Sequence, residues 1–81
     1  MEYSELHKQK LALLGNHIKK LRENLNITLK KLSEKTGIRI SYLKKIEEGS
    51  AYGLLINRHL GMIAKALNVN MGELFNFEEH S

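Results

Sequence analysis

The chain has 81 residues, a length that allows one small domain with a single modest core. Hydrophobic residues make up 42% and charged residues 27%, as in ordinary globular proteins, and neither a long apolar run nor a leader pattern indicates membrane insertion or secretion. The absence of cysteine excludes disulfides, thiol catalysis and thiolate metal ligands, and the absence of proline lets helices follow one another without a break. We therefore expect a nearly all-helical protein of the cytoplasm.

The positive charge is concentrated in the middle of the chain. The formal net charge is +4, from 13 basic and 9 acidic residues. Nine of the 13 basic residues but only two of the 9 acidic ones lie within 17–46, so this segment carries +7 and the remainder carries −3. A basic stripe of this kind is what binding to the phosphates of a polyanion requires.

The first predicted helix covers about residues 4–25. Apolar residues at helical spacing mark its inward face: Leu11, Leu14, Ile18, Leu21 and Leu25. Asn26 suits the end of this helix, because asparagine tolerates the left-handed conformation.

Residues 28–49 predict two short helices around a tight turn. The first opens at Thr28, whose hydroxyl can cap free backbone N–H groups, and runs to Lys35 with Leu29 and Leu32 facing inward. Gly37 supplies the left-handed residue that ends it.

The next helix ends at Gly49, and Leu43 and Ile46 face inward. The spacing places one group of residues on the outward face: Ser41, Lys44, Lys45 and Glu48. Two short helices of which the second has a basic outer face form a helix-turn-helix, the arrangement that DNA-reading proteins use.

The remaining chain predicts a loop over 50–56 and two further helices. Asn57 caps a fourth helix that runs through 67, and its buried face consists of Leu60, Ile63, Ala64 and Leu67. Asn68 and Asn70 bracket a turn before a last short helix over 71–76, where Leu74 and Phe75 complete the core.

The stretch over 14–75 resembles the phage-repressor and Cro type of helix-turn-helix domain, also called the xenobiotic-response-element family. The segments that carry the resemblance are 18–22 (IKKLR), 27–28 with Leu32, 36–38 (TGI), 41–43 (SYL), 46–49 (IEEG), 63–69 (IAKALNV) and 73–75 (ELF). It implies an all-α, compact five-helix bundle like that of lambda repressor. It also implies a sequence-specific transcriptional regulator, usually a repressor, that binds a two-fold symmetric operator on double-stranded DNA as a homodimer. On this basis we divide the chain into an N-terminal extension of helix 1 (1–13), the helix-turn-helix domain (14–76) and a C-terminal tail (77–81).

Three positions depart from the family pattern. Leu29 replaces a glutamine that usually touches the DNA backbone, so Lys30 or Lys31 takes over that contact. Ser33 replaces a small alanine and needs a partner for its hydroxyl. Arg39 replaces the serine or threonine cap of the recognition helix, so either the cap is weak or the helix starts later, at Ser41.

The resemblance assigns candidate DNA contacts to the helix-turn-helix and to the start of the fourth helix. The candidates for base contact are Arg39, Ile40, Ser41, Lys44 and Lys45. The candidates for phosphate contact are Thr28, Lys30, Lys31, Asn57 and Arg58. Ile40 either presses on a thymine methyl group or belongs to the core, Arg39 or Lys44 meets a phosphate or a guanine, and Lys44 is equally compatible with a solvated lysine. Glu47 is expected to close the turn structurally, since DNA would repel it.

The sequence offers no catalytic or metal-binding motif. His7, His17, His59 and His80 have no metal-ligand spacing, so we expect surface histidines, and no phosphate-binding glycine loop or nucleophile elbow occurs. We predict no enzymatic activity, no metal, no cofactor and no small-molecule substrate.

The competing hypothesis is a protein-interaction module on the same fold that does not read DNA. The loop after Gly49 is longer than the family pattern, and its apolar insertion at Tyr52 and 54–56 is one candidate for the interaction surface. The other candidates lie near the two ends of the chain: Tyr3, Leu6, Leu13, Phe75 and Phe77. For most of these residues the alternative, that they enlarge a small core, is favoured.

Overall fold

A computed structural model describes residues 5–51 and 57–76, and the side chains of 9–51 and 58–76. The described residues form five helices and no strand: α1 (Glu5–Asn24), α2 (Leu29–Thr36), α3 (Ile40–Glu48), α4 (Asn57–Ala66) and α5 (Met71–Leu74). The predicted all-α, five-helix architecture is confirmed. The apolar insertion over 52–56, Tyr3, Phe77 and His80 lie outside the described residues, as do the side chains of Leu6 and His7.

Helix α1 uses the predicted inward face except at its end. Leu14 and Ile18 are buried, and Leu11 and Leu21 are half-buried. Leu25 is 49% exposed, so its placement in the core was wrong. The reason is that α1 ends at Asn24 and Asn26 turns the chain with a φ of 58°, which takes Leu25 off the helical face.

Helix α2 is capped at both ends as predicted. The Thr28 hydroxyl oxygen accepts a hydrogen bond from the Lys31 N–H at 3.0 Å. Gly37, with a φ of 78°, donates its own N–H to the Ser33 carbonyl at 2.7 Å. The Ser33 hydroxyl donates to the carbonyl of Ile38, which satisfies the polar group that replaces the usual alanine.

Helix α3 begins at Ile40 and has a weak cap, because the side chain of Arg39 makes no capping hydrogen bond. Leu43 and Ile46 are buried, as predicted. Ile40 is 37% exposed, so of its two interpretations the core one was wrong. It lies in the first turn and about 60° around the helix from Leu43, at the edge of the buried face.

The core lies among the five helices, with α1 packed on α3 and α5, α2 packed on α3 and α4, and α4 packed on α5. The predicted buried face of α4 is confirmed, since Leu60, Ile63, Ala64 and Leu67 are all at most 4% exposed. In α5, Leu74 is fully buried, but Phe75 is 45% exposed and does not complete the core. Phe75 is the residue that ends this four-residue helix, and its side chain therefore leaves the face that Leu74 occupies.

Helices α1 and α3 cross at backbone contact. A Cβ atom added at Gly15 would lie 2.1 Å from the Ile46 carbonyl oxygen and 2.7 Å from that of Glu47. Gly49, with a φ of 76°, also lies directly against α1. A Cβ atom added at Gly49 would lie 2.6 Å from the Cα of Ala12. Two glycines therefore allow α1 to pack directly on the end of α3.

Both histidines whose side chains the structure describes are half-buried, contrary to the expectation of surface residues. His17 donates its Nε2–H to the carbonyl of Glu73 at 2.9 Å and so links α1 to α5. His59 lies against Tyr42, as described below. Among the described residues, no helix is long and apolar enough to span a bilayer, and no cluster of three potential metal ligands occurs.

Candidate nucleic-acid interface

All five candidate base-contact residues, which lie on α3 or immediately before it, are exposed to solvent. Arg39, Ile40, Ser41, Lys44 and Lys45 are each exposed, while Leu43 and Ile46 anchor the opposite face in the core. The exposed face combines cationic donors, a hydroxyl group and one apolar side chain. These are the side-chain types that recognise guanine edges, other base edges and thymine methyl groups in the major groove.

The start of α2 lies beside this face and is built to attract an anion. Lys30 and Lys31 are exposed in its first turn, which contains no acidic residue. The positive end of the helix dipole adds to the two ammonium groups. The Thr28 oxygen accepts the capping hydrogen bond, which leaves its hydroxyl hydrogen available to donate to a phosphate.

The start of α4 contributes a third cationic position. Arg58 is exposed in a first turn that again lacks acidic residues. Asn57 is the first residue of α4, but its side chain lies outside the described residues. Arg58 and Arg39 line the same groove. The fold therefore brings Arg58 close to the start of α3.

Sequence reasoning counted Arg22 with the basic stripe, but the structure buries it in an ion pair. Its Nε donates to Glu47 Oε2 at 2.7 Å, its Nη2 to Oε1 at 3.1 Å, and its Nη1 to the carbonyl of Ile27 at 2.7 Å. The hydrogen bond that Arg22 donates to Glu47 raises the pKa of Arg22, against the opposing effect of burial. This guanidinium therefore joins α1, α3 and the turn before α2, and Glu47 has the structural role expected for it.

A signal for this pair was present in the sequence. Arg22 follows Ile18 by four residues and so falls on the buried face of α1. A charge on such a face requires a buried partner of opposite sign. Which partner it was could not be read from the sequence, because Glu47 lies 25 residues away.

The structure also adds Lys19, a residue that sequence reasoning did not assign to the site. A groove of about 270 Å³ between α1, α2 and α3 is lined by Lys19, Arg22, Leu29, Lys44, Glu47 and Glu48. Lys19 and Lys44 are both exposed and come from different helices. The position of Leu29, which cannot hydrogen-bond, is therefore flanked by cations from α1 and α3 as well as from α2.

A helix-turn-helix is thus defined by a capped α2, a tight turn at Gly37 and an α3 with a polar, cationic outer face, all held on a helical core. A family model described as a helix-turn-helix domain matches residues 15–79, and the chain belongs to this family. Such domains bind DNA and are not an enzymatic class. Neither the curated proteins nor the solved structures contain a match to the chain.

Proposed function

We propose that the protein is a sequence-specific transcriptional regulator of the Cro/C1 type, acting as a repressor in the cytoplasm at the nucleoid. The observation that carries this proposal is the exposed face of α3, where Ser41, Lys44 and Lys45 share one side of a helix that is buried on the other. In this function, α3 enters the major groove of double-stranded DNA. The helix-turn-helix domain of 14–76 binds the DNA, and 1–13 and 77–81 are additions to it.

The residues divide into those that read bases and those that hold the backbone. Ser41 and Lys45 read base edges, and Ile40, exposed beside them, contacts a thymine methyl group. Lys30 and Lys31 hold a phosphate at the positive end of α2. Thr28, Asn57 and Arg58 are further phosphate contacts, and Arg39 and Lys44 lie between the two groups.

The dimensions of the domain are compatible with two copies on one symmetric site. Its principal extents are 33 × 31 × 18 Å. Two copies side by side along a long axis therefore have their centres one domain length apart. This length is close to the spacing of about 34 Å between successive major grooves on one face of DNA. Occupation of such a site over a promoter would block RNA polymerase.

The first experiment is selection from a random duplex library, followed by titration of the selected site and of scrambled DNA across salt concentrations. We expect a two-fold symmetric site bound at least about a hundredfold more tightly than scrambled DNA. Affinity should fall by about 0.9 log units per log unit of salt for each phosphate neutralised. Weak, sequence-independent binding would contradict the proposal.

Two variants separate base reading from phosphate binding. Lys45→Ala should reduce discrimination between the selected site and scrambled DNA by about tenfold, as expected for the loss of one base contact. Lys31→Ala should weaken binding to both DNAs alike and lower the salt slope by about 0.9. Lys20→Ala, which removes an exposed lysine of α1, is the matched control. Equal losses on both DNAs from Lys45→Ala would remove Lys45 from the base-reading set.

A protein-interaction module is the second candidate function, and exposed apolar side chains favour it. Leu13 and Phe75 are 44% and 45% exposed. An interface built on such residues would be nearly indifferent to salt, whereas DNA binding would not. The salt titration therefore distinguishes the two functions.

A further inference from the structure

A groove of about 520 Å³ lies between the start of α3 and the first turns of α4. Ile38 and Met62 give it apolar walls, Tyr42 and His59 give it aromatic ones, and Arg39 and Arg58 also line it. Within the part of the chain that the structure describes, none of its lining residues is acidic. Its volume falls within the range of small-molecule sites in proteins, about 300–1,000 Å³.

The aromatic part of the groove is ordered by a ring contact. The rings of Tyr42 and His59 meet edge to face, with centroids 5.1 Å apart and planes inclined by 70°. Burial raises the pKa of Tyr42, so its phenol stays neutral over the physiological range. A flat apolar body could thus pack against Tyr42, His59 and Met62.

One polar atom of the groove lacks a partner. The Nδ1 atom of His59 is buried and makes no hydrogen bond within the part of the chain that the structure describes. A buried polar atom without a partner destabilises a protein by about 1–3 kcal/mol. Because this nitrogen is closed to solvent, a bound molecule with a hydroxyl, amide or carboxyl group would reach it only after the His59 ring turns toward the groove.

We propose that this groove binds a small aromatic carboxylate. The two arginines hold the carboxylate, since guanidinium groups bind such anions through paired hydrogen bonds. The ring of the ligand packs on the apolar and aromatic walls, and a polar group meets Nδ1 of His59 once that ring turns toward the groove. A phosphate of the DNA backbone shares the anionic part of this chemistry, but it does not use the apolar walls.

Occupation of the groove would regulate DNA binding, a consequence that rests on the proposed function. Arg39 immediately precedes α3, and Arg58 is a candidate phosphate contact. A carboxylate that engages both would compete with DNA for them. By thermodynamic linkage, DNA would weaken carboxylate binding by the same factor.

The test titrates DNA-free protein with benzoate and follows the NMR signals of the Tyr42 and His59 rings. Benzamide, which has the same shape without the charge, and inorganic phosphate, which has charge without the ring, are titrated at matched ionic strength. We expect saturable benzoate shifts at millimolar concentration, typical of so small a ligand, and weaker binding of both comparison molecules. Because no DNA is present, this result is independent of the proposed function.

Variants locate the site. Arg58→Gln should raise the dissociation constant for benzoate at least about fivefold through the loss of a charged hydrogen-bond donor, and His59→Phe should raise it while keeping an aromatic ring. Lys20→Gln removes the same charge from the exposed side of α1 and should leave the constant unchanged. The far-ultraviolet circular dichroism and melting temperature of each variant check that it is folded.

Several outcomes would overturn the proposal. These are the absence of saturable shifts at Tyr42 and His59, equal binding of benzamide, and an Arg58→Gln variant that binds benzoate like the wild type. If phosphate binds as tightly as benzoate, the groove is instead identified as a binding site for phosphates of the DNA backbone. A selected DNA site bound equally well with and without saturating benzoate would overturn the regulatory consequence alone.

Discussion

Arg22 and Glu47 form a buried ion pair, and replacing either residue should destabilise the protein more than breaking any surface ion pair would. Both are more than nine-tenths buried, and their Nε–Oε2 distance is 2.7 Å. Removing one partner of such a pair leaves an uncompensated buried charge, which is far more destabilising than the loss of a surface ion pair. The pair connects α1 to the last turn of α3, so it also affects how the recognition helix is held.

At the residue scale we therefore predict that Glu47→Gln lowers the free energy of unfolding by about 3 kcal/mol. The physical reason is that the Arg22 guanidinium remains buried without a carboxylate. Urea denaturation followed by circular dichroism measures the change. Glu48→Gln, in the next and exposed position, is the control and should change stability by less than about 0.5 kcal/mol. Similar effects of the two substitutions would show that burial does not strengthen the pair.

At the scale of the helices, packing against α1 contributes more to the position of α3 than a side-chain cap on its first turn does. Its first turn has no side-chain cap, whereas α2 and α5 are capped by Thr28 and Asn70. The crossing with α1 compensates, because Gly15 allows α1 to approach the Ile46 and Glu47 carbonyls. The direction of α3 is thus set at its C-terminal end.

At the scale of the helix pair we predict that Gly15→Ala destabilises the domain by about 1–3 kcal/mol, despite the higher helix propensity of alanine. The added Cβ has no room beside the Ile46 carbonyl, so α3 must shift and DNA affinity should fall. Gly61→Ala is the matched control in α4, where the nearest atom to an added Cβ is Met71 Sδ at 4.0 Å.

The control should be more stable than the wild type by about 0.5–1 kcal/mol, because only helix propensity changes. Thermal denaturation and DNA titration of both variants provide the measurements. A Gly15→Ala variant that gains stability as Gly61→Ala does would contradict the close crossing of α1 and α3.

For the whole molecule, the placement of the exposed apolar residues suggests where the proposed dimer forms. The radius of gyration is 12.2 Å, close to the value of about 12 Å expected for a compact chain of this length. Leu13 lies one turn before His17, whose ring bonds the Glu73 carbonyl, and Phe75 follows Glu73 by two residues. Leu13 and Phe75 therefore flank the contact between α1 and α5.

At this scale we predict that the double substitution Leu13→Ser and Phe75→Ser converts a dimer into a monomer, because it removes apolar area that the interface would bury. Sedimentation velocity across a concentration series gives the oligomeric state. Leu25→Ser, at another exposed leucine, is the control and should leave the dimer intact. A wild-type protein that sediments as a monomer both alone and on its selected DNA would contradict the homodimer.

Much of the fold was predictable because its determinants are local. The caps at Thr28 and Gly37 depend on residues three or four positions away, and Asn26 and Asn68 both adopt the left-handed conformation where the helices end. The buried residues of α3 and α4 followed from helical spacing. The exposed face of α3 followed from the same periodicity, whereas the candidate DNA contacts on it followed from the family resemblance.

The sequence by itself determined the helices, their ends, most of the core and the basic outer face of α3. Tertiary structure alone decided the pairing of Arg22 with Glu47, the bond from His17 to Glu73, and the approach of Arg39 to Arg58, because these partners are 25, 56 and 19 residues apart. It also decided that Ile40 and Phe75 are exposed, since both lie at helix ends, where periodicity does not specify burial. Local spacing fixes which face a residue occupies, and only the packing of helices fixes what that face meets.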